Sequence, residues 1–154
     1  MNMIVAGPTG CGKTVFVTKM LRYRMLEPFP ERIVVGYAEW QPAYEEWRRM
    51  YPHIEFVDDF LARADSIYAS FRPATTNLLI LDDLMREANS MSTLMDLFTK
   101  GSHHHNLTFL FLVQNIFNQC KAMRTVSLNT HYMTLFKNAR DRMQAVTLVK
   151  QMYP

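Results

Sequence analysis

The sequence predicts a three-layer α/β domain built on a central parallel sheet, and three observations carry that expectation. Short apolar runs that read as strands, at 3–6, 32–37, 78–81, 107–113 and 131–136, alternate with segments of helical periodicity. Two of them, LLIL at 78–81 and LTFLFLV at 107–113, are apolar without interruption, as strands covered on both faces are. The stretch MIVAGPTGCGKT at 3–14 joins an apolar strand to the start of a helix through a glycine-rich turn. With 154 residues, 49% of them hydrophobic, the chain has apolar mass for one core, and we read one domain over 1–154.

In chain order, the first strand is followed by a helix over 15–25, with Lys19, Arg22 and Arg24 nearer water and Pro28 and Pro30 as its stop. RIVVGY at 32–37 is the second strand. Pro42 stands near the start of an aromatic-rich helix over 43–50. Tyr37, Trp40, Tyr44 and Trp47 recur near helical spacing, which core packing explains more simply than base stacking. Residues 54–57 form a short strand or extended piece, then a helix runs from 59 to 71 with Asp58 as its cap. The run at 78–81 leads into Asp82 and Asp83, and 84–100 is helical in pattern up to Gly101. The run at 107–113 is tipped by Gln114 and Asn115. A helix over 117–123, a last strand at 131–136 and a last helix over 140–152 complete the chain, with no repeat, low-complexity tract or internal linker.

Composition narrows the function classes. A net charge of +3 is compatible with a nucleic-acid partner and does not demand one. Cys11 and Cys120 are the only cysteines, which fits a reducing compartment and no disulfide framework; Cys11 reads as a small filler in its turn. No signal peptide is visible, the run at 107–113 is far shorter than a membrane span, and nothing in the sequence requires a membrane, so a cytosolic or nuclear location is expected. Twelve Met and ten Phe suit an irregular core and surfaces that pack against other subunits. His103, His104 and His105 are adjacent in a loop and do not converge on one metal, so a loop facing DNA or a subunit is the better reading. Because its first strand begins at the amino terminus, the chain reads as a minimal or trimmed core.

Gly7, Pro8, Thr9, Gly10, Cys11, Gly12, Lys13 and Thr14 satisfy the phosphate-loop pattern G-x-x-x-x-G-K-[ST]. The glycines let the backbone turn its N–H groups inward as an anion nest, and the helix after it adds the positive end of its dipole. Lys13 is the candidate for the β- and γ-phosphates of ATP, and the Thr14 hydroxyl for Mg²⁺. An acid at the carboxyl end of a buried strand holds the Mg²⁺ water shell in this class of site, and Asp82 occupies that place. Asp83 beside it is the candidate general base, with capping of the next helix as its alternative role. Gln114 ends its strand where a polar side chain can read the γ-phosphate, provided that strand lies between those of the phosphate loop and Asp82. Asn115 reads as a turn cap. Arg124, Arg140 and Arg142 are each candidate transition-state fingers for a neighbouring subunit, against the default of a solvated or ion-paired surface arginine.

Taken together, these motifs resemble those of DNA-packaging ATPases of double-stranded DNA viruses, the poxvirus-type enzymes and their relatives in adintoviruses and polinton-like elements, within the FtsK/HerA superfamily of P-loop ATPases. The resemblance is carried by GPTGCGKT at 7–14, LLILDDLM at 78–85, KGSHHHN at 100–106, FLVQNIF at 111–117 and the tail at 124–141, essentially end to end. It implies an additional-strand, RecA-like ATPase with strand order 5-1-4-3-2, which sets the Gln114 strand beside that of the phosphate loop. It also implies a homo-oligomeric ring, pentameric or hexameric, that pulls duplex DNA without sequence preference into a preformed capsid through a capsid vertex or portal protein. The expected place is the assembly site in the host cytoplasm or nucleus, or the virion. Members commonly pair Asp with Glu in the second motif; Asp82-Asp83 is one methylene shorter, which leaves the base assignment open. The resemblance does not extend to the nuclease domain of large tailed-phage terminases, which is not expected in these 154 residues. Two readings compete with packaging: another DNA-pumping P-loop ATPase or helicase, and a nucleotide-gated scaffold with little turnover.

Overall fold

A computed structural model of the chain describes residues 1–84, 106–115 and 128–137, together with 143, 146, 147, 149 and 150. Its elements are β1 (Asn2–Ala6), α1 (Lys13–Arg22), β2 (Arg32–Tyr37), α2 (Ala43–Met50), β3 (Glu55–Val57), α3 (Phe60–Ser70), β4 (Asn77–Asp82), β5 (Leu107–Val113) and β6 (Tyr132–Leu135). The strands form one sheet in the order β3-β2-β4-β5-β1-β6, every pair parallel. Parallel neighbours need crossover connections; α1, α2 and α3 supply those from β1 to β2, β2 to β3 and β3 to β4, with α1 and α2 on one face and α3 on the other.

Strand periodicity divides the core in two. Ile4, Leu79, Leu81, Phe109 and Phe111 pack with Phe60, Ala64 and Ile67 of α3. Met3, Val5, Leu78, Ile80, Leu110 and Leu112 pack with Val17, Met20 and Leu21 of α1 and with Tyr44 and Trp47 of α2. All but Met3 of these side chains are almost wholly out of water. Each large one contributes about 1.5–3 kcal/mol on burial. Gly36 permits the close approach of α3 to β2, since a Cβ there would lie 2.7 Å from Phe60 Cγ and 3.0 Å from Leu81 Cδ2.

The three-layer parallel α/β class is as expected, and the differences are local. The five longer strands follow the order 5-1-4-3-2, and the sheet gains a sixth at its edge, because β3 pairs with β2 through Val34↔Glu55, Val35↔Phe56 and Gly36↔Val57. Arg32 secures that edge with a fork on Glu55, Nε to Oε1 at 2.8 Å and an Nη to Oε2 at 3.1 Å. The first helix stops at Arg22, before the prolines. Arg24 takes a φ of 49°, its N–H donates to Leu21 O, and the Met25 N–H donates to Met20 O, a Schellman ending. The residue at the N-cap of α3 is Asp59 rather than Asp58; its side chain makes no capping bond and meets Arg63 at 3.4 Å. The helices expected over 84–100, 117–123 and 140–152 lie outside the described residues, apart from a few positions. Among the described residues no helix is long and apolar enough to cross a membrane.

Candidate functional site

β1 ends at Ala6 and α1 begins at Lys13, so the glycine-rich turn connects a buried strand to a helix start. Its entrance is held between neighbours: the Gly7 N–H donates to Val113 O at 3.1 Å and the Phe136 N–H to Ala6 O at 2.8 Å. A Cβ on Gly7 would lie 2.6 Å from Phe136 Cβ and 2.7 Å from Cys11 Sγ, so no larger residue fits. Gly12 is the N-cap of α1 at φ 103°, a conformation that costs an L side chain dearly, and no side chain caps the first-turn amides. The Lys13 ammonium curls back over the turn and donates to Gly7 O at 2.7 Å and Pro8 O at 3.1 Å. Pro8, Cys11 and Thr14 are half-buried, whereas Thr9 and Gly10 are exposed at the rim.

Asp82 ends β4 with only 8% of its surface exposed. Its Oδ2 accepts the Tyr44 hydroxyl at 2.6 Å. Burial raises the Asp82 pKa above the ordinary carboxylate value, with Asp83 adding to the rise, while the Tyr44 hydrogen bond and Lys13 oppose it. Burial, and then the Asp82 charge, push the Tyr44 phenol well above its usual range, which keeps it a donor. Asp83 follows in the left-handed region at φ 55°, where a non-glycine residue carries about 1–2 kcal/mol of strain. The neighbouring strand holds it there, since the Asp83 N–H donates to Leu112 O at 3.1 Å and Gln114 Nε2 donates to Asp83 Oδ2 at 2.9 Å.

Sheet order brings these groups together. β5 lies between β1 and β4, in a register that pairs Ala6 with Val113 and Asp82 with Leu112, so the three carboxyl ends are level. The condition set for Gln114 is met, and its exposed amide goes to Asp83. A lysine, a hydroxyl, two carboxylates and an amide thus gather at one end of the sheet, as in the crevice where open parallel sheets bind ligands. The donor set suits a nucleotide with Mg²⁺: Thr14 and Asp82 are hard oxygen donors, and that ion keeps several waters and takes few protein ligands. At Gly10 a Cβ would meet nothing within 4 Å, so the turn's rim opens to space rather than to packed protein. Among the described residues no three His, Cys, Asp or Glu side chains form a metal cage of their own.

Sequence reasoning missed the supporting shell. Tyr44 and Trp47 are fully buried, as core packing requires, but their polar tips bond toward the site: Trp47 Nε1 donates to Thr18 Oγ1 at 2.8 Å, and that hydroxyl donates to Thr14 O at 2.8 Å. Helical aromatic spacing reads the same with or without such bonds, so no local signal marks them. Trp40 departs from the core reading, being 39% exposed with the Arg48 guanidinium 5.0 Å from its ring centre. Arg124, Arg140, Arg142, Cys120 and the histidines at 103–105 lie outside the described residues.

Solved structures share this fold. The cytoplasmic domain of EssC superposes with a TM-score of 0.63 at 13% identity, over 94% of this chain and 35% of that one. The fold is that of the P-loop ATPases. The cytoplasmic domain of the Thermomonospora curvata type VII secretion ATPase EccC matches with a TM-score of 0.67 at 11% identity, over 91% of this chain and 20% of that one. A KaiC-like protein from Pyrococcus horikoshii matches at 0.57 and 14% identity, over 90% and 74%. This chain therefore spans about a third of the solved EssC chain and a fifth of the EccC chain. No protein-family model and no curated protein matches the sequence.

Proposed function

We propose that this chain is the ATP-hydrolysing motor domain of a DNA translocase that packages double-stranded viral DNA into capsids. The observation that carries the ATPase reading is the meeting of Lys13, Thr14, Asp82, Asp83 and Gln114 at the level ends of β1, β4 and β5. The packaging reading rests on the sequence resemblance, above all in the block 101–141.

The amides of the turn and the Lys13 ammonium bind the phosphates, leaving the γ-phosphoryl group in line for attack. Thr14 and Asp82 would hold Mg²⁺, which would supply charge neutralisation for the phosphates. Asp83 accepts a proton from the attacking water as its oxygen bonds the γ-phosphorus and the bond to ADP breaks. Gln114 ties that carboxylate to the tip of β5, next to the phosphate loop. In an assembled ring, Arg140 or Arg124 supplies positive charge to a neighbour's γ-phosphate, with Arg140 favoured and Arg142 third. Mixing an arginine variant with Lys13→Ala restores activity in mixed rings if that arginine acts between subunits. Failure of every arginine variant to be rescued places the charge within its own subunit.

The type VII secretion ATPase EccC among the similar structures favours a second reading, a motor that moves protein rather than DNA. Hydrolysis measured with and without duplex DNA separates the two. Packaging predicts stimulation without sequence preference and an apparent DNA affinity that falls steeply with salt, as a grip on the phosphate backbone requires. No stimulation, or a strong consensus sequence, contradicts packaging. The ring, its capsid vertex or portal partner and its place at the host cytoplasmic or nuclear assembly site belong to the same proposal.

A further inference from the structure

One helix reaches toward both residues read as cation ligands. Tyr44 and Trp47 stand three positions apart on α2, therefore on one face, with ring centres 5.0 Å apart. Tyr44 donates to the Asp82 carboxylate, and Trp47 donates to the Thr18 hydroxyl, which in turn bonds the Thr14 carbonyl. Phenylalanine would fill such buried space without a polar group to satisfy, as Phe60, Phe109 and Phe111 do on the other face of the sheet. Both polar tips on α2 are bonded, and both bonds run toward the site.

We propose that Tyr44 and Trp47 are positioning residues of the cation site. From one rigid helix they set the Asp82 carboxylate against the α1 turn that carries Thr14, so a divalent cation arriving with nucleotide meets ligands already in place. This rests on the reading of Thr14 and Asp82 as the cation's ligands. Tyr44 engages one carboxylate oxygen, Oδ2, and leaves the other to the cation's water shell. Outer partners of this kind commonly change metal affinity about 10–100-fold when removed. Tyr44 acts on a ligand directly and Trp47 through two hydrogen bonds, so the tyrosine carries the larger effect.

The test is Mn²⁺ binding followed by electron paramagnetic resonance, on the full chain with ADP present, alongside nucleotide affinity in EDTA. Tyr51→Phe is the control: from the C-cap of the same helix its hydroxyl bonds Leu21 O at 2.8 Å, at the end of α1 opposite Thr14. Tyr44→Phe should weaken Mn²⁺ binding about 10-fold or more. Trp47→Phe should weaken it less, Tyr51→Phe not at all, and nucleotide affinity without metal should stay as in the wild type throughout. Wild-type Mn²⁺ affinity in Tyr44→Phe, or an equal loss in Tyr51→Phe, overturns the proposal and leaves the ATPase reading standing. If Tyr44→Phe does not fold, Trp47→Phe carries the comparison, and an unchanged Mn²⁺ affinity there overturns it. A wild-type protein that binds nucleotide no better with Mn²⁺ than without it overturns the cation-site reading and the proposal together.

Discussion

The two faces of the sheet bury aromatic side chains equally deeply and put them to different uses. On the α3 face, Phe60, Phe109 and Phe111 are fully buried and carry no polar atom. On the α1–α2 face, Tyr44 and Trp47 are buried as deeply, and each carries one polar atom bonded toward the carboxyl-end site. Strand alternation decides which face is tied to chemistry: Leu79 and Leu81 turn to α3, Leu78 and Ile80 to the other side, and Asp82 continues the second series. Volume governs the first face. Volume and a few directed hydrogen bonds govern the second, so substitutions should separate stability from function according to the face they strike.

The largest separation is expected from Phe109→Ala, which leaves a cavity on the α3 face and costs about 3–5 kcal/mol in chemical denaturation. The protein that remains folded should keep the wild-type Mg²⁺ dependence of nucleotide binding; a changed dependence breaks the comparison. Asp83→Asn should do the reverse, lowering turnover about 100-fold or more while nucleotide and Mg²⁺ still bind, because an amide cannot accept the water's proton. Full activity in that variant would return Asp83 to a helix-capping role. Gly36→Ala drives a methyl group against Phe60 and should cost about 1–3 kcal/mol through overpacking, measured by urea denaturation, with site chemistry unaltered.

The smallest effect has the opposite sign. Burial raises the Asp82 pKa, so the folded chain holds that proton more tightly than the unfolded chain, and ionisation of Asp82 costs stability. The cost is absent below the ordinary carboxylate value of 3.8, grows as pH rises through the folded value and is complete above it. Tyr44 and Lys13 reduce it and Asp83 adds to it. Asp82→Asn should therefore raise the nucleotide-free melting temperature at neutral pH, with the gain shrinking as pH falls toward 3.8, as thermal unfolding followed across pH would show. It should also weaken the Mg²⁺ dependence of nucleotide binding. A lowered melting temperature would show that the buried charge is compensated in full.

Much of this was legible because the chemistry is local. Each fixed position of the turn at 7–14 has its own reason to be there: Gly7 for want of room beside Phe136, Gly12 for its φ, Lys13 for its charge. The uninterrupted apolar runs announced β4 and β5, and polar residues after apolar strands announced Asp82, Asp83 and Gln114. What escaped depends on partners far along the chain. At 54–57 the sequence allows a short strand or an extended piece, since three residues with an exposed Glu55 are too short for a pattern, and pairing with β2 decides for the strand. The end of α1 turns on a left-handed arginine, Arg24, a residue type that gives no warning of it. Tyr44 and Asp82 lie 38 residues apart, and only the assembled sheet brings them to 2.6 Å.

If the level ends of β1, β4 and β5 form the proposed ATP-hydrolysing site, the Lys13 charge drives it. The most direct test is steady-state phosphate release from ATP by the wild type and by Lys13→Ala, with Mg²⁺ or with EDTA. The account predicts hydrolysis that requires Mg²⁺ in the wild type and falls about 100-fold or more when the lysine charge is removed. Turnover in Lys13→Ala equal to the wild type, or wild-type hydrolysis indifferent to Mg²⁺, would contradict it.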